Sequence, residues 1–142
     1  MTRKSKSILI AEDDHEDRLL IEEAFNDIGM PAELQFVEDG QGIMNELKKS
    51  SKFDLPSFIM LDLNLPKKNG YEVLKELKQD DRCKTIPVII FSTSSNTEDI
   101  NLTYQLGASS FITKPSYYSE MVDSIKKLSD YYFEISKLPV IS

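Results

Sequence analysis

Two apolar runs that each end in carboxylates constrain this chain more than anything else in it. Phe58-Ile59-Met60-Leu61 leads directly into Asp62, and Ile8-Leu9-Ile10-Ala11 leads directly into Glu12-Asp13-Asp14. Unbroken apolar runs of this length read as strands covered on both faces, the condition of a parallel sheet with helices on either side. Open α/β sheets place their ligand sites at the carboxyl edge of the strands. A carboxylate delivered there is an expensive bystander, because burying a charge requires a partner for it.

The remainder of the chain continues the pattern. Strand-like runs at about residues 7–12, 34–37, 58–62, 88–91 and 110–113 alternate with helix-period stretches, and this alternation predicts parallel βαβ units. Asp14 is the expected N-cap of the first helix, in which Leu20, Ile21, Ala24, Phe25 and Ile28 recur at three- and four-residue intervals and which ends at Gly29 and Pro31. A second helix occupies Gly40–Lys49; a loop containing Pro66 leads through Gly70 into a third; Gly107 stops a fourth. The last helix begins near Ser116 and extends to about Ile135. At 142 residues the expectation is one domain over 1–142, with its core at about 7–128 and a C-terminal helix extension and tail over about 129–142.

Composition removes several functions. A net charge of −7, with only the short basic opening Arg3-Lys4-Ser5-Lys6, excludes a nucleic-acid surface, which needs clustered positive charge. No stretch reaches the roughly 18 to 20 apolar residues of a membrane helix, and the N-terminus lacks the plan of a signal peptide, so a cytoplasmic protein is expected. Cys83 is the single cysteine and lies in the polar run Gln79-Asp80-Asp81-Arg82-Cys83-Lys84, which predicts a bystander surface thiol.

In a doubly wound five-stranded sheet of order 2-1-3-4-5, strands one and three are neighbours, and Asp13 and Asp62 face one another across the topological switch point. Two like charges about 4 Å apart repel by roughly 4 kcal/mol at an effective dielectric near 20, so the cluster calls for a cation or a raised pKa. Oxygen donors without nitrogen or sulfur select a hard divalent ion, Mg2+ or Mn2+. Asp13, Asp62 and the backbone carbonyl of Asn64 are the expected direct ligands, with Glu12 holding a metal-bound water. With charge so balanced, Asp62 can attack a phosphoryl group and form an acyl phosphate. Ser92, ending the fourth strand, and Lys114, ending the fifth, complete the cradle with a hydroxyl and an ammonium.

These residues match a known family. Glu12-Asp13-Asp14, Leu61-Asp62-Leu63-Asn64-Leu65-Pro66 with Gly70, Ser92-Thr93 and Thr113-Lys114-Pro115 resemble the response-regulator receiver domains of two-component signalling over about residues 7–128. The resemblance implies a flavodoxin-like receiver fold, phosphoryl transfer from a histidine kinase's phosphohistidine to Asp62, and a divalent-metal requirement. It implies a signalling protein rather than an enzyme, with self-catalysed phosphotransfer and slow autodephosphorylation only, acting through protein contacts without an output domain. It also implies a switch in which Ser92 moves toward the phosphoryl group and Phe111 turns inward, here by packing alone because Phe111 lacks a hydroxyl, and a cis Lys114-Pro115 peptide. Leu61 to Gly70 and Tyr104-Gln105-Leu106-Gly107-Ala108 are similar to the single-domain regulators paired with bacterial phytochromes, which makes such a kinase the expected partner.

Rival readings meet obstacles in the residues. A magnesium-dependent phosphatase needs a carboxylic acid two residues after its nucleophile, where this chain has Asn64, and an amide cannot do general acid work. No glycine-rich phosphate loop follows strand one, against a nucleotide-binding protein. The full set of Asp13, Asp62, Ser92 and Lys114 disfavours a degenerate, phosphorylation-independent scaffold. His15, the only histidine, is expected on the surface near the pocket. Tyr118, Met121, Val122, Ile125, Leu128, Tyr132 and Ile135 form the packed face of the last helix, while Tyr131 and Phe133 fall outside it. That excess, with the apolar tail Leu138-Pro139-Val140-Ile141, predicts a homodimer through the C-terminal helix and tail.

Overall fold

The computed structural model describes residues 6–139, so Val140 and Ile141 of the tail lie outside the described residues. Five strands, β1 (Ser7–Ala11), β2 (Glu33–Val37), β3 (Phe58–Leu61), β4 (Val88–Ser92) and β5 (Ser110–Thr113), pair in parallel in the order β2-β1-β3-β4-β5. Five helices connect and follow them: α1 (His15–Ile28), α2 (Gly40–Lys49), α3 (Gly70–Gln79), α4 (Thr97–Gln105) and α5 (Tyr118–Asp130). The doubly wound α/β fold expected from the alternation is the one present.

Period-two geometry divides the apolar strands between two cores. Leu9, Ala11, Ile59, Leu61, Val88 and Ile90 face one way, against Ile43, Met44 and Leu47 of α2 and Val73, Leu74 and Leu77 of α3. Ile8, Ile10, Phe58, Met60, Ile89 and Phe91 face the other, against Ile21, Ala24 and Phe25 of α1 and Met121, Ile125 and Leu128 of α5. Because β1, β3 and β4 lie between helices on both sides, every residue of β3 and β4 is buried. The edge strands β2 and β5 are only partly covered, and β2 accordingly carries Glu33 and Gln35 on its open face.

Local signals explain where the helices start and stop. The Asp14 carboxylate accepts hydrogen bonds from Glu16 N–H and Asp17 N–H, and Gly29 closes α1 in the left-handed conformation at φ 67°. Asn69 and Glu72 form a reciprocal capping box at the start of α3. A short 3-10 turn, Lys52–Asp54, had no clear sequence signal.

Three expectations are corrected. Cys83 is buried, not a surface thiol: Asp80 accepts hydrogen bonds from Arg82 N–H and Cys83 N–H in a tight turn that leaves its charged neighbours in water and turns the thiol into the α2/α3 core. Burial, with the Asp80 carboxylate behind it, pushes that thiol up to about 11. The Lys114-Pro115 peptide is trans, the intrinsically favoured isomer even before proline. Finally, α5 does not continue regularly to Ile135 but widens at Tyr131–Ile135, where Ser136 N–H donates to Tyr131 O at 2.6 Å. The widened turn brings both Tyr132 and Phe133 onto Phe58, with ring centroids at 5.1 and 5.4 Å, so Phe133 is packed rather than surplus. No helix among the described residues is long and apolar enough to cross a membrane.

The loop after β3 is packed to atomic tolerance. A Cβ at Gly70 would sit 2.6 Å from the Asp62 carbonyl oxygen and 2.7 Å from Leu63 Cα, so no larger residue fits without moving the segment that carries Asp62. Gly70→Ala should therefore cost about 1–3 kcal/mol, the usual range for overpacking, read as a lower midpoint in urea unfolding. An unchanged midpoint would contradict this account of the loop.

Candidate functional site: an acidic pocket around one buried ammonium

The pocket is built by sheet hydrogen bonds that continue one residue past the strands. Glu12 N–H donates to Val37 O at 3.0 Å, Asp62 N–H to Ala11 O at 3.3 Å and Lys114 N–H to Ser92 O at 2.7 Å. Each bond fixes a backbone whose side chain leaves the carboxyl edge of the sheet, so the order of the strands brings the three side chains together. Lys114 Nζ lies 2.9 Å from Asp62 Oδ2, 3.0 Å from Asp17 Oδ2, and in closer contact still with Glu12 Oε1. The Lys114 side chain is only 6% exposed, so these carboxylates stand in for most of its lost hydration.

The charges perturb one another in a consistent direction. Burial opposes the charge on Lys114, but the Glu12 and Asp62 carboxylates outweigh it and hold the ammonium proton more tightly than in an ordinary lysine. Burial dominates for Glu12, whose carboxyl is raised to about 7 despite the hydrogen bond with Lys114, and the nearby Asp62 adds to the rise. Asp14 N–H anchors the other Glu12 oxygen, Oε2, at 3.2 Å, and Asn64 N–H anchors Asp62 Oδ1 at 3.0 Å.

A metal fits this donor set. Carboxylate oxygens of Glu12, Asp13 and Asp62 lie within 4.8 Å of one another, and with Asp17 the pocket holds four carboxylates against a single ammonium. All of these donors are hard oxygens, which suit a divalent cation of the magnesium, manganese or calcium type. Asp13 is exposed while Glu12 and Asp62 are buried, so the cluster opens to solvent on the Asp13 side.

The other predicted residues fall nearby in different ways. Ser92 is fully buried at the end of β4, and its hydroxyl accepts from Ser94 N–H at 3.3 Å. Phe111 pairs with Ile90 in the β4–β5 register and is half-buried against the α2/α3 core. His15 is exposed as the first residue of α1. The sequence reading missed two partners. Asp17 stands in the first turn of α1, and no spacing in the sequence linked it to Lys114. Tyr104 Oη accepts from Phe111 N–H at 3.1 Å, supplying from α4 a hydroxyl that Phe111 itself lacks.

The raised carboxyl of Glu12 has a consequence for stability. Between about 4.5 and about 7 the folded protein holds a proton on Glu12 that the unfolded chain has released, so this group's contribution falls as pH rises through that window. In chelator-treated buffer, Glu12→Gln should flatten that part of the curve of unfolding free energy against pH. Curves of equal slope for the two proteins would refute the assignment.

Comparison with known proteins identifies the family. The family model for the response regulator receiver domain matches residues 8–126. Response regulator Rcp1 of Synechocystis sp. is 34% identical over 137 residues, spanning 94% of this chain and 93% of its own. Chemotaxis protein CheY-3 of Vibrio cholerae is 28% identical over 125 residues, spanning 88% of this chain and 92% of its own. Among solved structures, the phosphorylated cyanobacterial phytochrome response regulator RcpA matches with a TM-score of 0.87 at 38% identity, covering 95% of this chain and 99% of its own. The Mn2+-bound form of Rcp1 matches with a TM-score of 0.84 at 33% identity, over 95% and 99% of the two chains.

Proposed function

The chain belongs to the response regulator receiver domain family, and on that premise we propose that Asp62 accepts a phosphoryl group from the phosphohistidine of a sensor histidine kinase. The observation that carries the reading is the Asp62 carboxylate itself. It is buried at the switch point of the sheet, aimed by Asn64 N–H and paired with the enclosed Lys114 ammonium. An oxygen of Asp62 forms the new bond to phosphorus as the donor's bond to phosphorus breaks, the leaving nitrogen keeping the electron pair. Lys114 supplies a fixed positive charge for the phosphoryl oxygens, and the Ser92 hydroxyl donates to one of them.

Asp13, Asp62 and the backbone carbonyl of Asn64 would hold Mg2+ or Mn2+, with Glu12 holding one of its waters. When bound, the ion neutralises carboxylate and phosphoryl charge. On this reading the only chemistry is self-catalysed phosphotransfer and slow autodephosphorylation, in the cytoplasm. The likeness to the cyanobacterial phytochrome response regulator RcpA supports a phytochrome-type kinase as donor.

Labelling with a small phosphodonor tests the site. Wild type should take one phosphoryl group only in the presence of a divalent cation, Asp62→Asn should take none, and Asp13→Asn should need more metal. Equal labelling of Asp62→Asn at saturating magnesium would sink the proposal.

A homodimer through the C-terminal region is the second part of the proposal, acting with the kinase as the protein's contacts. Tyr131 and Ile135 remain 50% and 69% exposed, and Tyr131 borders a groove with Ile112, Leu128 and Tyr132. Since Tyr132 covers Phe58, a cut at Asp130 would open the core, and surface substitution is the cleaner probe. Light scattering at tens of micromolar should show a wild-type dimer and a monomer for Tyr131→Ser/Ile135→Ser. A monomeric wild type, or an undisturbed dimer in the double variant, rejects this interface.

A further inference from the structure

Lys67 is the one non-glycine residue among the described residues with a left-handed backbone, at φ 65°. Lys68 N–H donates back to Pro66 O at 2.7 Å, so the chain reverses in a three-residue turn centred on Lys67. With a positive φ at its centre, this is the rare and strained form of that turn. The side chain does not account for it. Lys67 Nζ lies 3.5 Å from Asp39 Oδ2 and the side chain is 72% exposed, and an ion pair so exposed contributes little. What position 67 supplies is its backbone.

The surroundings leave the chain no wider path. Leu63 and Leu65 are buried in the α2/α3 core, and Gly70 N–H donates to Leu63 O at 3.0 Å. Only residues 66–69 remain to bring the chain from Leu65 back to Leu63. On its outer side the turn meets the start of α2: Gly40 N–H donates to Pro66 O at 3.4 Å, and a Cβ at Gly40 would sit 1.8 Å from Lys68 O. Strain of this kind persists only where neighbours over-determine it, and it collects at functional sites. The residue pinned between the two buried leucines is Asn64, whose N–H aims Asp62 Oδ1 at 3.0 Å.

We propose that Lys67 is a positioning residue for the divalent ion: its left-handed turn keeps Leu65 in the core and so fixes the backbone at Asn64, whose carbonyl serves as a metal ligand. A side chain that resists positive φ at position 67 would open the turn. Either Leu65 then leaves the core or Lys68 O is driven into Gly40, and each shift moves the segment that carries Asn64. This inference rests on the reading of the Asn64 carbonyl as a ligand of Mg2+ or Mn2+.

The experiment titrates magnesium by calorimetry into wild type, Lys67→Asn and Lys67→Val. Both variants remove the same exposed charge, so a difference between them belongs to the backbone. Asparagine accepts a left-handed backbone and should leave the dissociation constant within about twofold of wild type, as surface changes usually do. Valine is β-branched and resists it, and should weaken binding about tenfold relative to Lys67→Asn, the low end of what residues behind a metal's ligands contribute. Equal affinities in the two variants, with or without a lower urea midpoint for Lys67→Val, would overturn the proposal by leaving the turn a purely structural role. Should Lys67→Val not fold, Lys67→Thr is read by the same criterion. Loss of the fold in both would also overturn it, since the turn would then be a requirement of the whole domain. Each of these results leaves the metal reading standing, whereas a wild type that binds no magnesium overturns both.

Discussion

The fold converges on one interaction, the enclosed ammonium of Lys114 among carboxylates carried by β1, α1 and the end of β3. A buried ion pair recovers its desolvation only when donors and acceptors are matched in number and direction. Here three N–H groups meet three carboxylates, and the free oxygens of Glu12 and Asp62 are taken by Asp14 N–H and Asn64 N–H. Remove the lysine and the remaining groups are like charges in a site that excludes water on most sides. The same ammonium therefore holds the three carboxylates of β1, α1 and β3 together.

That matching requires backbone precision, which explains the investment in the sheet beneath it. Three consecutive inner strands are buried on both faces, and the ladder bonds extend one residue past the ends of β1, β3 and β5 to Glu12, Asp62 and Lys114. The loop after Asp62 is pressed against the start of α3 closely enough that position 70 admits no side chain. Two independent cores clamp the sheet, so a shift of one strand would have to break packing on both sides at once. Rigidity below lets a few long side chains meet above.

Much of this could be read from the residues because buried parallel strands carry an unusually plain signal. Four apolar residues in a row, ended by a carboxylate, located β1 and β3 and the acidic cluster together. Capping chemistry placed the start of α1 to the residue, since Asp14 bonds the helix start directly. What escaped were contacts that depend on three-dimensional approach. Cys83 was hidden by polar neighbours because a single turn separates side chains that sequence keeps together. Phe133 falls outside the packed stripe on a regular 100° step, and the widened turn brings it back onto Phe58. Asp17 and Tyr104 were missed because their partners, Lys114 and Phe111, are far away in the chain and near only through the sheet order.

The surroundings of Ser92 show how a change in the pocket would be absorbed. The Ser92 carbonyl accepts from Lys114 N–H, and its hydroxyl accepts from Ser94 N–H. Breaking the first would disturb the ladder that aims the ammonium, so it is the costlier of the two. The second leads outward, since the Ser94 hydroxyl donates to Asp99 at 2.7 Å and Asp99 also accepts from the Tyr71 hydroxyl, tying the start of α4 to α3. The Ser92 hydroxyl therefore accepts from the very segment that leads into α4 while its own O–H can donate to another acceptor. Phe111, by contrast, is tethered through Tyr104 to the far end of that helix. The two ends of α4 are thus linked by hydrogen bonds to β4 and β5, the start through Ser94 to Ser92 and the end through Tyr104 to Phe111.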